Sequence, residues 1–169
     1  MPTNLELKIR LNNPDKILKT VRAINAEYKG GMNQVDVYYK NSNFRLKLRL
    51  ENGTQVLIKY SRNEGTGNRW SDYQLISLEK NDARDFLNDI FGEEVVVEKI
   101  RKYYLYDNTR IHIDEVKGLG SFLELETLVV KGKKDAEKRF HQLINLLSLD
   151  KKDEIRNSYR DLLLEKMGK

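Results

Sequence analysis

The chain has 169 residues, 39% of them hydrophobic and 34% charged, with a formal net charge of +5. That is length enough for one core, so residues 1–169 are expected to form a single domain. There is no cysteine, which excludes disulfides and thiolate metal sites; no apolar run approaches the roughly 20 residues that cross a bilayer; and the polar start lacks a signal-peptide pattern, so a cytoplasmic location and no membrane partner are expected.

In "NLELKIR" (4–10), polar and apolar residues alternate strictly, which predicts a strand with Leu5, Leu7 and Ile9 on one face and Glu6, Lys8 and Arg10 on the other. Asn13-Pro14 predicts a helix start. Ile17, Leu18, Val21 and Ile24 then recur at helical spacing up to Tyr28, with Gly30-Gly31 as the stop. Residues 34–39 and 44–50 read as strands, and Asn52-Gly53 as a hairpin turn into a strand over 54–60. A polar loop around Gly65 and Gly67, flanked by Arg62 and Arg69, precedes a strand over 70–78. A second helix is expected from Asn81 to Phe91, then strands over 95–106, 109–116 and 121–130. The last forty residues read as helical, with Ala136, Phe140, Leu143, Ile144 and Leu147 in one stripe and Ile155, Tyr159, Leu162 and Leu163 in another. No repeat or linker interrupts the pattern, so one α+β domain on a long antiparallel sheet is expected.

The charges are not scattered. Arg45, Lys47, Arg49 and Glu51 share a face opposite Leu46, Leu48 and Leu50. Lys59 ends the next strand. Lys99 and Arg101 flank Ile100; Arg110, His112 and Asp114 alternate with Ile111 and Ile113; Glu124 and Glu126 alternate with Leu123 and Leu125. A face merely solvated would mix in Thr and Ser, which are almost absent here. Arginine dominates, and its planar fork suits phosphate oxygens. A ligand that needs both signs is a polyphosphate: cations neutralise its oxygens while carboxylates hold the Mg²⁺ or Mn²⁺ that travels with it. A nucleic-acid groove would be opposed by the acids. No glycine-rich phosphate loop is present, so side chains must hold the phosphates.

These residues carry a resemblance to the CYTH superfamily, the triphosphate tunnel metalloenzymes. The family's E-x-E-x-K signature is matched by Asn4-Leu5-Glu6-Leu7-Lys8, with asparagine where its first glutamate stands. The "LKLR" of 46–49, "WSDY" of 70–73, "IHIDEVKGLGSFLELE" of 111–126 and "SYRDLL" of 158–163 look like the class IV adenylyl cyclase branch, in the right order along essentially the whole chain.

The resemblance implies an eight-stranded antiparallel β-tunnel, a closed barrel with helices packed outside. It implies Glu6, Glu124 and Glu126, with Asp114, as metal ligands for Mg²⁺ or Mn²⁺. It implies Lys8, Lys47, Arg49, Lys59, Lys99, Arg101 and Arg110 as the triphosphate clamp, which Arg10 and Arg45 of the same ionic faces are expected to join in binding substrate, and Glu6, Lys8, Glu124 and Glu126 are expected to be catalytic. The implied activity is conversion of ATP to cyclic AMP and pyrophosphate. With water as nucleophile the same clamp would make a triphosphatase for inorganic, thiamine or nucleoside triphosphate, and without turnover a polyphosphate or nucleotide binder. The expected partner is a small-molecule triphosphate, held by a monomer or homodimer. His112 is expected to partner Asp114; Tyr103, Tyr104 and Tyr106 are expected to pack; His141 is expected to be a solvated or packing helix residue; and the loop around Gly65 is expected to cover the tunnel mouth.

Overall fold

Alternating apolar and ionic residues give the sheet two unlike faces, and the chain buries both by closing the sheet on itself. The computed structural model describes residues 2–41, 43–63, 65–79 and 82–169. Among them, eight antiparallel strands form a barrel: β1 (Thr3–Arg10), β2 (Glu27–Tyr39), β3 (Arg45–Glu51), β4 (Thr54–Arg62), β5 (Arg69–Leu78), β6 (Glu93–Tyr106), β7 (Thr109–Val116) and β8 (Gly120–Leu128). Their order around the circuit is β1-β5-β4-β3-β2-β6-β7-β8. β1 closes it, pairing with β5 on one side and β8 on the other.

The register carries one parity of every strand inward. Glu6 lies opposite Glu126 and Lys8 opposite Glu124; Arg101 lies opposite Asp114 and Asp36 opposite Arg49. The other parity is covered by helices. α1 (Pro14–Ala23) opens with Asn13 accepting from the Lys16 N–H and proline at the first turn. It buries Ile17, Leu18 and Val21 against Leu5, Leu7 and Ile9, together with Phe140, Leu143 and Ile144 of α3 (Lys133–Leu146). Each such burial contributes about 1.5–3 kcal/mol. α2 (Ala83–Phe91) sets Leu87 on Val37, Tyr39 and Leu48.

The fourth helix does something different. α4 (Tyr159–Lys166) starts at a reciprocal capping box between Ser158 and Asp161. It places Tyr159 among the inward residues Tyr38, Val97, Val116 and Phe122. This aromatic cluster plugs one end of the barrel.

The structure departs from the sequence reading most at two places. α1 stops at Ala23, not Tyr28, because Asn25 takes a left-handed backbone (φ 57°); Tyr28, Gly30 and Gly31 belong to β2, across a bulge. Residues 147–158 are not a continuous helix: Ile155 donates its N–H to the Lys8 carbonyl at 2.8 Å and so leaves the stripe of α4. The expected helix start at Asn81 lies outside the described residues.

Candidate active site

The barrel interior is a cavity of about 420 Å³. Its deep part is a knot of cations tied to one acid. Asp36 of β2, fully buried, accepts from Arg49 Nε and Nη2 at 2.7 and 2.8 Å, from Lys47 Nζ at 2.8 Å and from Lys99 Nζ at 3.0 Å. Burial alone would raise its pKa, but Arg49, Lys47 and Lys99 outweigh burial and hold it well below the usual carboxylate range. Burial and like-charged neighbours pull Lys47 and Lys99 down. The cluster has more cationic than anionic groups, and that surplus is what an entering phosphate chain would neutralise.

A second knot joins the plug to the acids. Arg101 forks onto Asp114 at 2.7 and 2.6 Å and also reaches Glu124 at 2.8 Å. The Tyr159 hydroxyl donates to Asp114 at 2.9 Å. Lys8 donates to the Asn157 carbonyl at 2.9 Å, lies 3.4 Å from Glu124 and sits 4.3 Å above the Tyr159 ring. Burial brings its ammonium down to about 8.

Beside these knots, in the same cavity, stand Glu6, Glu124, Glu126 and His112. Glu6 pairs with Arg62 at 3.0 Å and Arg69 at 3.8 Å, yet burial, reinforced by Glu126 and Glu124, raises its pKa. Arg110 lies 3.3 Å from Glu126, and His112 Nδ1 lies 3.7 Å from it. Burial and Arg101 push the imidazole down to about 4, so it is neutral at pH 7. One ligand atom from each of His112, Glu124 and Glu126 lies within 4.8 Å of the others. Bonds of about 2.1 Å to a shared ion can close that spread with small side-chain movements. Asn4 Oδ1 and His112 Nδ1 are buried with no hydrogen-bond partner among the described residues. Oxygen-rich donors beside unpartnered lone pairs fit a divalent cation.

The mouth is of another character. Tyr73, Tyr103, Met32, Val56 and Leu75 line it, with Leu75 57% exposed. Tyr73 is fixed by a bond from Arg110 at 3.0 Å. Gln34 donates to Glu51 and leaves its buried Oε1 without a partner among the described residues.

Most of the expected site converges. Glu6, Lys8, Lys47, Arg49, Lys99, Arg101, Arg110, Glu124 and Glu126 all line the cavity. Four expected residues do not join it. Lys59 points outward, exposed and over the Phe44 ring, because the inward residues of β4 are Val56, Ile58, Tyr60 and Arg62. Arg10 is exposed, bonded to the Leu119 carbonyl and stacked on Phe122 at the plugged end. Arg45 pairs with Asp161 of α4 at 3.2 Å. Asp114 is held by Arg101 and Tyr159 and is not among the cavity-lining side chains, and His112 faces Glu126 and the Tyr103 ring instead of partnering it.

The loop at Gly65 is not at the mouth: Arg156 holds the Asn63 and Gly67 carbonyls at 3.1 and 3.0 Å, at the plugged end. Of the three tyrosines, Tyr104 packs in the outer core while Tyr103 lines the cavity. The sequence reading misses Asp36, Arg62, Arg69 and Tyr159. Asp36 carries a signal: it is the acid that shares a strand face with Gln34 and Tyr38.

Comparison with known proteins agrees with this geometry. The model of the CYTH domain matches residues 2–159. A Methanocaldococcus jannaschii protein, provisionally named an adenylate cyclase, is 24% identical over 94% of this chain and 97% of its own length. The solved structure of the PH1012 protein of Pyrococcus horikoshii is similar, with TM-score 0.82 and 20% identity, covering 94% of this chain and 98% of that one. A Hippeastrum protein, described as an adenylyl cyclase candidate with a dominant triphosphatase activity, shares the fold at TM-score 0.67 and 12% identity, covering 100% of this chain and 97% of its own.

Proposed function

This chain belongs to the CYTH domain family, and we propose that it is a divalent-metal-dependent enzyme converting ATP to cyclic AMP and pyrophosphate. The observation that carries this reading is how the tunnel sorts its groups. Cations gather around the fully buried Asp36, carboxylates and His112 cluster beside them, and aromatic and aliphatic side chains line the mouth. A nucleoside triphosphate offers the matching parts: terminal phosphates for the cations, metal-bound phosphate for the acids, an organic half for the mouth.

Lys47, Arg49, Lys99 and Arg101 would take the β- and γ-phosphates, neutralising the charge that grows on departing pyrophosphate. Glu124 and Glu126, with Glu6 nearby, would hold the ion. When bound, a divalent cation supplies Lewis-acid neutralisation of phosphate oxygens. The ribose 3′-oxygen attacks the α-phosphorus, the bond from that phosphorus to the bridging oxygen of pyrophosphate breaks, and Glu6 takes the hydroxyl proton. Its raised pKa suits a proton acceptor better than that of an ordinary exposed carboxylate. Tyr73 and Tyr103 would fix the organic half, converting binding into alignment.

One observation favours a second reading, hydrolysis at the terminal phosphorus. Lys8, brought down to about 8 and placed beside the plug, could exchange a proton with water at the deep end. The provisional cyclase name of the archaeal relative supports the first reading, and the activity described for the Hippeastrum protein supports the second. Incubation with ATP and Mg²⁺ or Mn²⁺, with products resolved by chromatography, separates them. Cyclic AMP with pyrophosphate is the expected result; orthophosphate without cyclic nucleotide overturns the cyclase reading.

A further inference from the structure

We propose that His112 is itself a metal ligand, donating an imidazole nitrogen beside the Glu124 and Glu126 oxygens, and that the site therefore favours first-row transition ions over Mg²⁺. The proposal rests on the metal–triphosphate reading of the tunnel and adds the donor atom and the metal class.

His112 sits on β7 directly opposite Glu124 of β8 and is only 5% exposed. Almost every other polar group around it is engaged. Asp114 is taken by Arg101 and Tyr159, Glu124 by Arg101 and Lys8, and Glu126 by Arg110. His112 Nδ1, by contrast, is buried with no hydrogen-bond partner among the described residues, and buried polar atoms are ordinarily satisfied. The ring is nevertheless held in place: it meets Tyr103 edge to face, with centroids 5.3 Å apart at 69°. A ring nitrogen left unpartnered on an oriented imidazole, with one of the ring's nitrogens within 4.8 Å of two carboxylate oxygens, has the makings of a metal ligand.

Nitrogen ligation has a consequence for metal choice. Mg²⁺ prefers oxygen and sheds water reluctantly. Divalent ions from Mn²⁺ to Zn²⁺ accept imidazole, with affinity rising along the series up to copper. Arg101 and Arg110 compete for the same carboxylates in the free protein, and a phosphate chain draws guanidinium groups away from them. The complete site is therefore best probed with the anion present.

The test uses the whole protein with Mn²⁺ and the non-cleavable bis-methylene triphosphate. Pulsed electron paramagnetic resonance reads nitrogen nuclei bonded to the manganese. Wild-type protein is expected to show imidazole nitrogen coupling that changes pattern when its histidines carry ¹⁵N, and His112→Gln is expected to lose it. Co²⁺ affinity of that variant should fall at least about tenfold, the lower end of what losing even an outer partner of a metal ligand costs, while Mg²⁺ affinity stays within about twofold. Manganese bound by wild-type protein without nitrogen coupling overturns this inference and leaves the tunnel reading standing. Failure of wild-type protein to bind Mn²⁺ with the analogue overturns both. The wild-type spectrum decides without relying on the variant's folding.

Discussion

Arg49 forks onto Asp36, with Nε 2.7 Å from one carboxylate oxygen and Nη2 2.8 Å from the other. The same carboxylate also holds Lys47 and Lys99, so one acid compensates three cations inside the barrel. Replacing it with an amide leaves those charges unbalanced in a poorly solvated place. Asp36→Asn is expected to lower the unfolding free energy by about 3–5 kcal/mol, the range for breaking a buried ion pair from one side. Urea denaturation at pH 7 checks this, and a variant as stable as wild type would show that the clamp needs no resident anion.

Much of this arrangement is legible in the sequence, and the departures have physical reasons. β7 emerges with its boundaries intact because Thr109–Val116 alternates cleanly between turns. Lys59 misleads because β4 inverts the rule: its inward side is apolar and aromatic, facing the plug and the mouth, so polarity points the wrong way there. Arg62 and Arg69 read as ends of a surface loop, yet the register brings Arg69 opposite Glu6, a relationship between distant strands that no local pattern carries. Gly30-Gly31 reads as a helix stop, whereas the stop is Asn25 in a left-handed turn. Tyr159 escapes strand periodicity altogether, since it enters the barrel from a helix.

The pH dependence should follow Lys8. Its folded pKa is lowered to about 8 by burial, so the ammonium is present below that pH and lost above it. Triphosphate binding should hold level at neutral pH and weaken as pH rises through 8, tending towards tenfold per unit. KM measured from pH 6.5 to 9.5 tests this. Lys8→Arg, whose guanidinium stays charged, should flatten the rise; an unchanged profile in that variant would assign the titration elsewhere.

Glu126 lies 3.3 Å from Arg110 and shares the candidate metal position. Glu126→Ala should abolish metal-dependent turnover, a loss of at least about 10²-fold, comparable to removing a group that stabilises transition-state charge. The far-ultraviolet circular dichroism should remain that of a folded barrel. Retained activity would remove this carboxylate from the chemistry.

At the mouth, Tyr103 and Tyr73 offer ring surface to the organic half, while Tyr103 also meets the His112 ring and Tyr73 accepts from Arg110. Tyr103→Ala should raise KM for ATP by roughly threefold to tenfold, the order expected for one lost aromatic contact of about 0.5–1.5 kcal/mol, and raise KM for inorganic triphosphate by less, through the loosened His112 ring alone. Competition assays with both compounds measure it. Equal effects on the two would mean that the tyrosine shapes the phosphate path instead.

The whole account depends on where the anion goes, and crystals grown with Mn²⁺ and bis-methylene triphosphate would show it. An anomalous map recorded at the manganese edge should place the ion between Glu124 and Glu126, with the phosphorus chain running inward to Lys47, Arg49, Lys99 and Arg101. A saturated crystal with an empty tunnel, or with the anion on the outer surface near Arg10, Arg45 or Lys59, would contradict it.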